Sequence, residues 1–150
     1  MLVSTKGRYA LRLMLDIAVH GAKENVKIKD ISRRQEISIK YLEQIIAALN
    51  RAGYVKSERG PMGGYRLAKS PEDYTAGMIV RLMEGSTAPV ACLQSDFKGC
   101  RRAEHCVSLI LWKKIDDAVN EILDGTTLAD IIKWMPEDAP ALVDLPEYFI

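Results

Sequence analysis

The span from Ser38 to Leu67, SIKYLEQIIAALNRAGYVKSERGPMGGYRL, places an amphipathic helix directly before a basic, glycine-rich hairpin, and few folds accommodate that order. With Ser38 as N-cap, Leu42, Ile45, Ile46 and Leu49 recur at helical spacing and form a buried stripe. Lys40, Tyr41, Glu43, Gln44, Ala47, Asn50 and Arg51 remain on the open face, which can both donate and accept hydrogen bonds. Gly53 ends the helix. Tyr54 to Glu58 and Tyr65 to Ala68 then read as two short strands around Arg59-Gly60-Pro61-Met62-Gly63-Gly64, a turn rich in residues that tolerate positive φ.

The residues upstream complete the pattern. Ser4-Thr5 caps a first helix whose apolar surface comes from Tyr9, Ala10, Leu13, Leu15, Ile17, Ala18 and Val19 and which ends at His20-Gly21. Lys6, Arg8 and Arg12 lie near its exposed start. A second helix fits Lys29 to Arg34, with Ile28 and Ile31 turned inward, and Gln35-Glu36-Ile37 makes a short turn. The order helix, helix, turn, helix, hairpin predicts a mainly α fold with a small β wing, a winged helix-turn-helix spanning residues 1–70.

Charge supports the division at residue 70. Residues 1–70 hold 14 Lys+Arg against 6 Asp+Glu, and residues 71–150 hold 7 against 14, so halves of +8 and −7 lie behind an overall charge of +1. A basic first half suits a polyanion, and the acidic second half suits sensing or assembly. At 150 residues and 48% hydrophobic content, the chain can bury one good core or a small domain with an oligomerisation arm. No window approaches the roughly 20 apolar residues of a membrane span, and no apolar signal segment stands at the start, so a cytoplasmic protein without membrane contact is expected.

In the second half, Ser70-Pro71-Glu72-Asp73 breaks the chain, and Thr75 caps a helix from Ala76 to about Met83 that stops by Gly85. From Ser86 to about Glu104 no period is sustained, and a loop of that length implies a function. A long helix follows from Cys106 to Leu123 with two apolar rows, one through Leu111, Ile115, Ala118 and Ile122, the other through Trp112, Val119 and Leu123. Two faces need two partners, which predicts packing on the chain's own core and on a second copy, a homodimer suited to palindromic DNA. Thr126-Thr127 restarts a short helix through Trp134, and an acidic tail runs from Pro136 to Ile150. Residues 71–150 are thus read as a cysteine-loop sensing and dimerisation region.

The enzyme classes fit poorly. His20 and His105 are the only histidines, no phosphate loop or nucleophile elbow appears, and Asp116-Asp117 and Glu137-Asp138 read as solvated positions. The expected DNA-binding set is Lys6, Arg8, Ser38, Lys40, Tyr41, Glu43, Gln44 and Arg59. Glu43 can accept from a cytosine amino group, Lys40 and Gln44 can donate to base edges, Tyr41 and Asn50 suit phosphates, and Arg59 can enter a minor groove.

Cys92, Cys100 and Cys106 offer three soft ligands separated by 7 and 5 residues. An odd count without close pairs argues against a disulfide framework and favours an iron-sulfur cluster over zinc, with thiol redox sensing as a further possibility. His105 is the nearest nitrogen candidate for a fourth ligand; Glu104, Asp96 and Ser108 offer oxygen, and an exogenous thiol or a partner-subunit residue could also serve.

The segments Ser4-Thr5-Lys6-Gly7-Arg8-Tyr9-Ala10, Tyr41-Leu42-Glu43-Gln44, Gly60-Pro61-x-Gly63-Gly64-Tyr65 and Thr75-Ala76-Gly77, with the three cysteines, resemble a bacterial family of winged-helix regulators. That family includes the iron-sulfur regulator IscR, the nitric-oxide sensor NsrR and the cysteine-metabolism repressor CymR, and the resemblance covers most of residues 1–135. It implies a homodimeric repressor whose recognition helix reads the major groove, whose wing arginine enters the minor groove and whose long helix crosses its partner. It also implies a cluster on Cys92, Cys100, Cys106 and one neighbour, with [2Fe-2S] ahead of [4Fe-4S]. Leu109 stands where an IscR-like protein offers histidine, and Arg8 where an NsrR-like ligand is acidic. Asp116 to Leu128 and the Tyr148-Phe149-Ile150 ending look closer to CymR-like proteins, which sense through a partner enzyme of cysteine synthesis.

Overall fold

The computed structural model describes residues 3–136. Its order is α1 (Thr5–His20), α2 (Ile28–Gln35), α3 (Ile39–Arg51), β1 (Val55–Glu58), β2 (Gly64–Leu67), α4 (Ala76–Glu84), α5 (Val107–Gly125) and α6 (Leu128–Lys133). Short 3-10 turns occupy Pro71–Asp73, Ala91–Leu93 and Ala103–His105. The predicted acidic tail beyond Pro136 and the Tyr148-Phe149-Ile150 ending lie outside the described residues.

Local chemistry starts the helices where the sequence predicts. The Ser4 hydroxyl accepts from the Gly7 N–H, Ser38 from Tyr41 and Thr75 from Met78, each satisfying a donor that the first helical turn leaves open. Thr127 and Asp130 form a reciprocal capping box at α6. Those hydrogen bonds, the Thr127 N–H foremost, hold the Asp130 carboxyl below the usual carboxylate range. Helix α2 runs one residue further at each end than its apolar pattern indicates, and Glu36 then turns the chain with φ 54°, a left-handed conformation uncommon outside glycine.

Helix α1 is the central strut. Ala10, Leu13, Met14 and Ile17 are fully buried and pack with Ile31 of α2 and with Leu42, Ile45, Ile46 and Leu49 of α3. The second half contributes Tyr74, Ile79 and Leu128 to this same core. Tyr74 also donates its hydroxyl to the Tyr54 carbonyl at 2.8 Å, and burial pushes its phenol pKa up. The start of α4 is stitched to the start of α6, with Ala76 N–H bonded to the Thr126 carbonyl at 2.8 Å and Leu128 N–H to the Tyr74 carbonyl at 2.9 Å.

A polar centre that no local pattern announces lies between α1 and α2. Asp16 is fully buried, and its two carboxylate oxygens accept from Arg34 Nη2 at 2.6 Å, Arg34 Nε at 3.0 Å and Gln35 Nε2 at 2.9 Å. Arg12 extends the network by donating Nε to Gln35 Oε1 at 3.0 Å and Nη2 to the Gln35 carbonyl. The wing likewise has a third member. Val26 exchanges two 2.8 Å backbone hydrogen bonds with Tyr65, so β2 lies between β1 and the α1–α2 connection.

Helix α5 has no fully buried residue. Trp112, Val119 and Leu123 are half-buried, whereas Leu111, Ile115 and Ile122 are exposed, Ile122 by 68%. Helix α4 holds it through Arg81, which donates to Asn120 at 2.9 Å and pairs with Asp124. Asp116, expected to be solvated, instead turns one carboxylate oxygen inward without a hydrogen-bond partner among the described residues.

Removing one partner of a buried ion pair leaves the other uncompensated, so Asp16→Ala should lower the unfolding free energy by about 3 kcal/mol or more, read from the urea midpoint. A change under about 1 kcal/mol would show that Arg34 and Gln35 find equivalent partners.

Candidate nucleic-acid interface and cysteine loop

Burial of Leu42, Ile45, Ile46 and Leu49 fixes the rotation of α3, leaving Ser38, Lys40, Glu43, Gln44, Ala47, Asn50 and Arg51 exposed. Tyr41 departs from the expected open face. It is half-buried, with its ring edge-on to Tyr9 at a 5.8 Å centroid separation and 83° between planes. At the start of α1, Lys6 is half-buried, and Arg8 is exposed and donates to Thr5 Oγ1 at 3.2 Å.

The wing is built by a four-residue antiparallel register in which Val55 faces Leu67 and Glu58 faces Gly64. A side chain at Gly63 would strike the Glu58 carbonyl, and Gly60 and Gly64 hold φ of 104° and 148°, so the tight return needs glycine. Glu58 accepts from Asn25 Nδ2 at 2.8 Å and pairs with Arg66 at 3.2 Å. Arg59, the next residue, is exposed and makes no hydrogen bond or ion pair among the described residues. Lys23, Lys27 and Arg66 line a cleft of about 500 Å³ between the wing and the α1–α2 connection. The sequence reading passed over Lys23 and Lys27, although the lysine density from 23 to 29 was a visible signal.

The cysteine loop is held at its root by Thr87, which is buried and donates to Asn120 Oδ1 at 3.1 Å. Cys92, in the Ala91–Leu93 turn, and Cys100 are exposed, and Cys106 is half-buried at the N-cap of α5; all three thiols are free. His105 precedes Cys106 in the Ala103–His105 turn and is exposed. Among the described residues, no three of His, Cys, Asp and Glu converge as a metal site, so the loop does not bring its candidate ligands together in this conformation. The chemistry of the donor set nonetheless suits iron and sulfide: three uncommitted thiols, one of them biased toward thiolate. The Ser108 hydroxyl, 3.3 Å from Cys106 Sγ, is the main cause, with the Leu109 N–H and the Arg102 charge adding to it, and together they lower the Cys106 pKa.

A helix-turn-helix carried on α1, followed by a wing and a long helix, defines a class of transcription regulators. The family model for Rrf2, described as an iron-dependent transcriptional regulator, matches residues 3–134, and the chain belongs to this family. The protein rrf2 of Nitratidesulfovibrio vulgaris is 41% identical over 133 residues, covering 89% of this chain and 88% of that one. The structure of CymR, the global cysteine regulator of B. subtilis, superposes with a TM-score of 0.75 at 40% identity, covering 91% of this chain and 99% of its own. T. potens IscR superposes at 0.71 with 40% identity, covering 89% and 87%. These relatives are regulators, not enzymes. No helix among the described residues is long and apolar enough to cross a membrane.

Because its thiol pKa is lowered, metal-free Cys106 should be alkylated by iodoacetamide with a pH midpoint below the ordinary thiol value, and Ser108→Ala should move that midpoint up. Peptide mapping of alkylation against pH measures it, and an unmoved midpoint in Ser108→Ala would remove the hydroxyl as the cause.

Proposed function

We propose that the chain is a sequence-specific DNA-binding repressor that acts as a homodimer and senses iron-sulfur or redox status through its cysteine loop. The observation that carries this reading is the exposed polar face of α3, with Lys40, Glu43 and Gln44, beside a wing whose Arg59 engages no other described residue. Lys40, Glu43 and Gln44 read base edges in the major groove; Ser38, Lys6 and Arg8 meet phosphates; and Tyr41 contacts backbone from its seat on Tyr9. Arg59 enters the flanking minor groove, where narrow A·T steps concentrate negative potential.

Cys92, Cys100 and Cys106, with His105 as fourth donor, would hold the cluster, [2Fe-2S] ahead of [4Fe-4S]. When bound, the group supplies a redox- and iron-sensitive tie between the loop and the start of α5. The chain's own residues carry that constraint onward. Thr87 and Arg81 both bond Asn120, and Glu84, one turn along α4, accepts from the Ser4 hydroxyl at 2.6 Å at the start of α1. A second reading is favoured by the likeness to CymR and by the unconverged thiols: a cluster-free regulator governed by a cysteine-synthesis enzyme, with the cysteines as a redox switch.

On a duplex selected by the wild-type chain, Glu43→Ala should change the preferred base, worth about 1–3 kcal/mol of discrimination. Arg59→Ala should instead weaken binding and reduce the salt slope by about one. Unaltered affinity and preference in both variants, measured by fluorescence anisotropy, would show that this face does not dock.

The exposed row on α5 should be covered by the same row of a second copy. Ile115→Glu should therefore give monomers in light scattering with little affinity for the selected duplex. An unchanged dimer mass would place the interface elsewhere.

Protein purified without oxygen should absorb at about 400–450 nm and lose that absorption when any one of the three cysteines is replaced by alanine. Colourless protein, with DNA affinity altered by an added cysteine-synthesis enzyme, would establish the second reading.

A further inference from the structure

Tyr9, Arg12 and Asp16 are spaced by three and four residues, so they stand on one face of α1, and that face meets both ends of the turn between α2 and α3. At the near end, the Arg12 guanidinium closes the last turn of α2 through its two hydrogen bonds to Gln35, which Asp16 holds from behind. At the far end, Tyr41 rests edge-on against Tyr9. Arg12 joins the two, because its guanidinium carbon also lies 5.4 Å from the centre of the Tyr9 ring.

Two side chains of the first turn of α3 face inward, Leu42 into the core and Tyr41 onto Tyr9. Ser38, Ile39 and Lys40 are exposed, Leu42 is fully buried in the core, and Tyr41 is half-buried against Tyr9. In the connecting residues Glu36 to Ser38, Glu36 is left-handed and Ile37 is buried in the core, tied to α2 by its N–H to the Ser32 carbonyl at 3.3 Å and by the Ser32 hydroxyl, which donates to the Ile37 carbonyl at 2.6 Å. The core residues from Leu42 to Leu49 set the rotation of α3 along its length, and the Tyr9–Tyr41 contact adds a polar-edged seat at its N-terminal end, outside the apolar core. That end carries Lys40, Glu43 and Gln44.

Resting on the DNA-reading role proposed above, we propose that Arg12, acting with Tyr9, is a positioning residue for sequence discrimination: it locks the end of α2 to the aromatic pair that seats Tyr41. Arg12 acts through its planar fork and its stacked face, not through its charge. A lysine in its place keeps the charge but has neither the rigid planar fork that meets Gln35 Oε1 and the Gln35 carbonyl together nor a flat face to lie on Tyr9. The competing role for an exposed arginine beside DNA is a direct phosphate contact, in which charge alone matters and lysine suffices.

The experiment selects a duplex from a random library with the full wild-type chain. Affinities for that duplex and for a scrambled duplex of equal length are then measured across a salt series for Arg12→Ala, Arg12→Lys, Tyr9→Leu and Tyr9→Phe, with melting midpoints in parallel. Arg12→Ala, Arg12→Lys and Tyr9→Leu should each lose about tenfold in affinity for the selected duplex while scrambled-duplex affinity and the salt slope hold. Tyr9→Phe, which keeps the ring, should behave as wild type. Equal loss on both duplexes with a salt slope lower by about one, restored by Arg12→Lys, would overturn the proposal in favour of a phosphate contact. Undiminished discrimination in Arg12→Lys and Tyr9→Leu would overturn it outright. A library from which the wild-type chain recovers no preferred sequence would instead bring down the reading of α3 itself.

Discussion

A carboxylate with no access to water sits at the centre of this molecule. Asp16 projects from α1 toward α2, and its desolvation is tolerable because Arg34 grips it with two nitrogens and Gln35 adds a third donor. The hydrogen bond to Asp16 pushes the Arg34 pKa above that of an ordinary arginine. An apolar contact between α1 and α2 would permit sliding, whereas this geometry allows one register. Gln35 passes that register to Arg12 and to the turn preceding α3. The buried charge is thus bonded, through Gln35 and Arg12, to the turn that leads into α3, whose rotation the apolar core sets.

Around this polar centre, the apolar packing makes α1 common to both halves of the chain. Its fully buried residues meet α3 on one side, and on the other they share a core with Tyr74, Ile79 and Leu128. Helix α4 is the link between reading head and loop. One of its ends bonds the α1 N-cap through Glu84, and Arg81 reaches Asn120 and Asp124 on α5. Gly7 lies where a Cβ would meet the Glu84 carboxylate, and Gly77 where one would meet Asp124, so α4 is seated without side chains in the way. A constraint applied to the cysteine loop thus has a bonded route to the start of α1.

The outer face of α5 has a different status. No described residue covers Val107, Ile110, Leu111 and Ile122, and an exposed apolar row of that length on a helix has the character of an interaction surface. The neighbouring cleft of about 650 Å³ beside Cys106, lined by His105, Ile110 and Lys113, belongs to the same exposed side. Loop, cleft and apolar row are contiguous, so the thiols and the exposed apolar row share one surface.

The sequence by itself determined the elements, because their causes are local. Ser4, Ser38, Thr75 and Thr127 cap the helices they were expected to cap, the apolar spacing of α3 fixed its open face, and the glycines between Arg59 and Tyr65 dictated the wing. The two rows on α5 were also legible as periodicity. Only the tertiary structure decided what depends on residues far apart in sequence. Asp16 reads as one more polar helix residue until Arg34 and Gln35 surround it; Tyr41 reads as exposed until Tyr9 meets it; and Val26 carries no strand signal until Tyr65 pairs with it. Spacing revealed that three thiols share one loop, but their convergence is a property of loop conformation, which no periodicity encodes. Helical caps and periods act within one or two turns, whereas buried charges and edge strands are settled by whatever the fold brings alongside them.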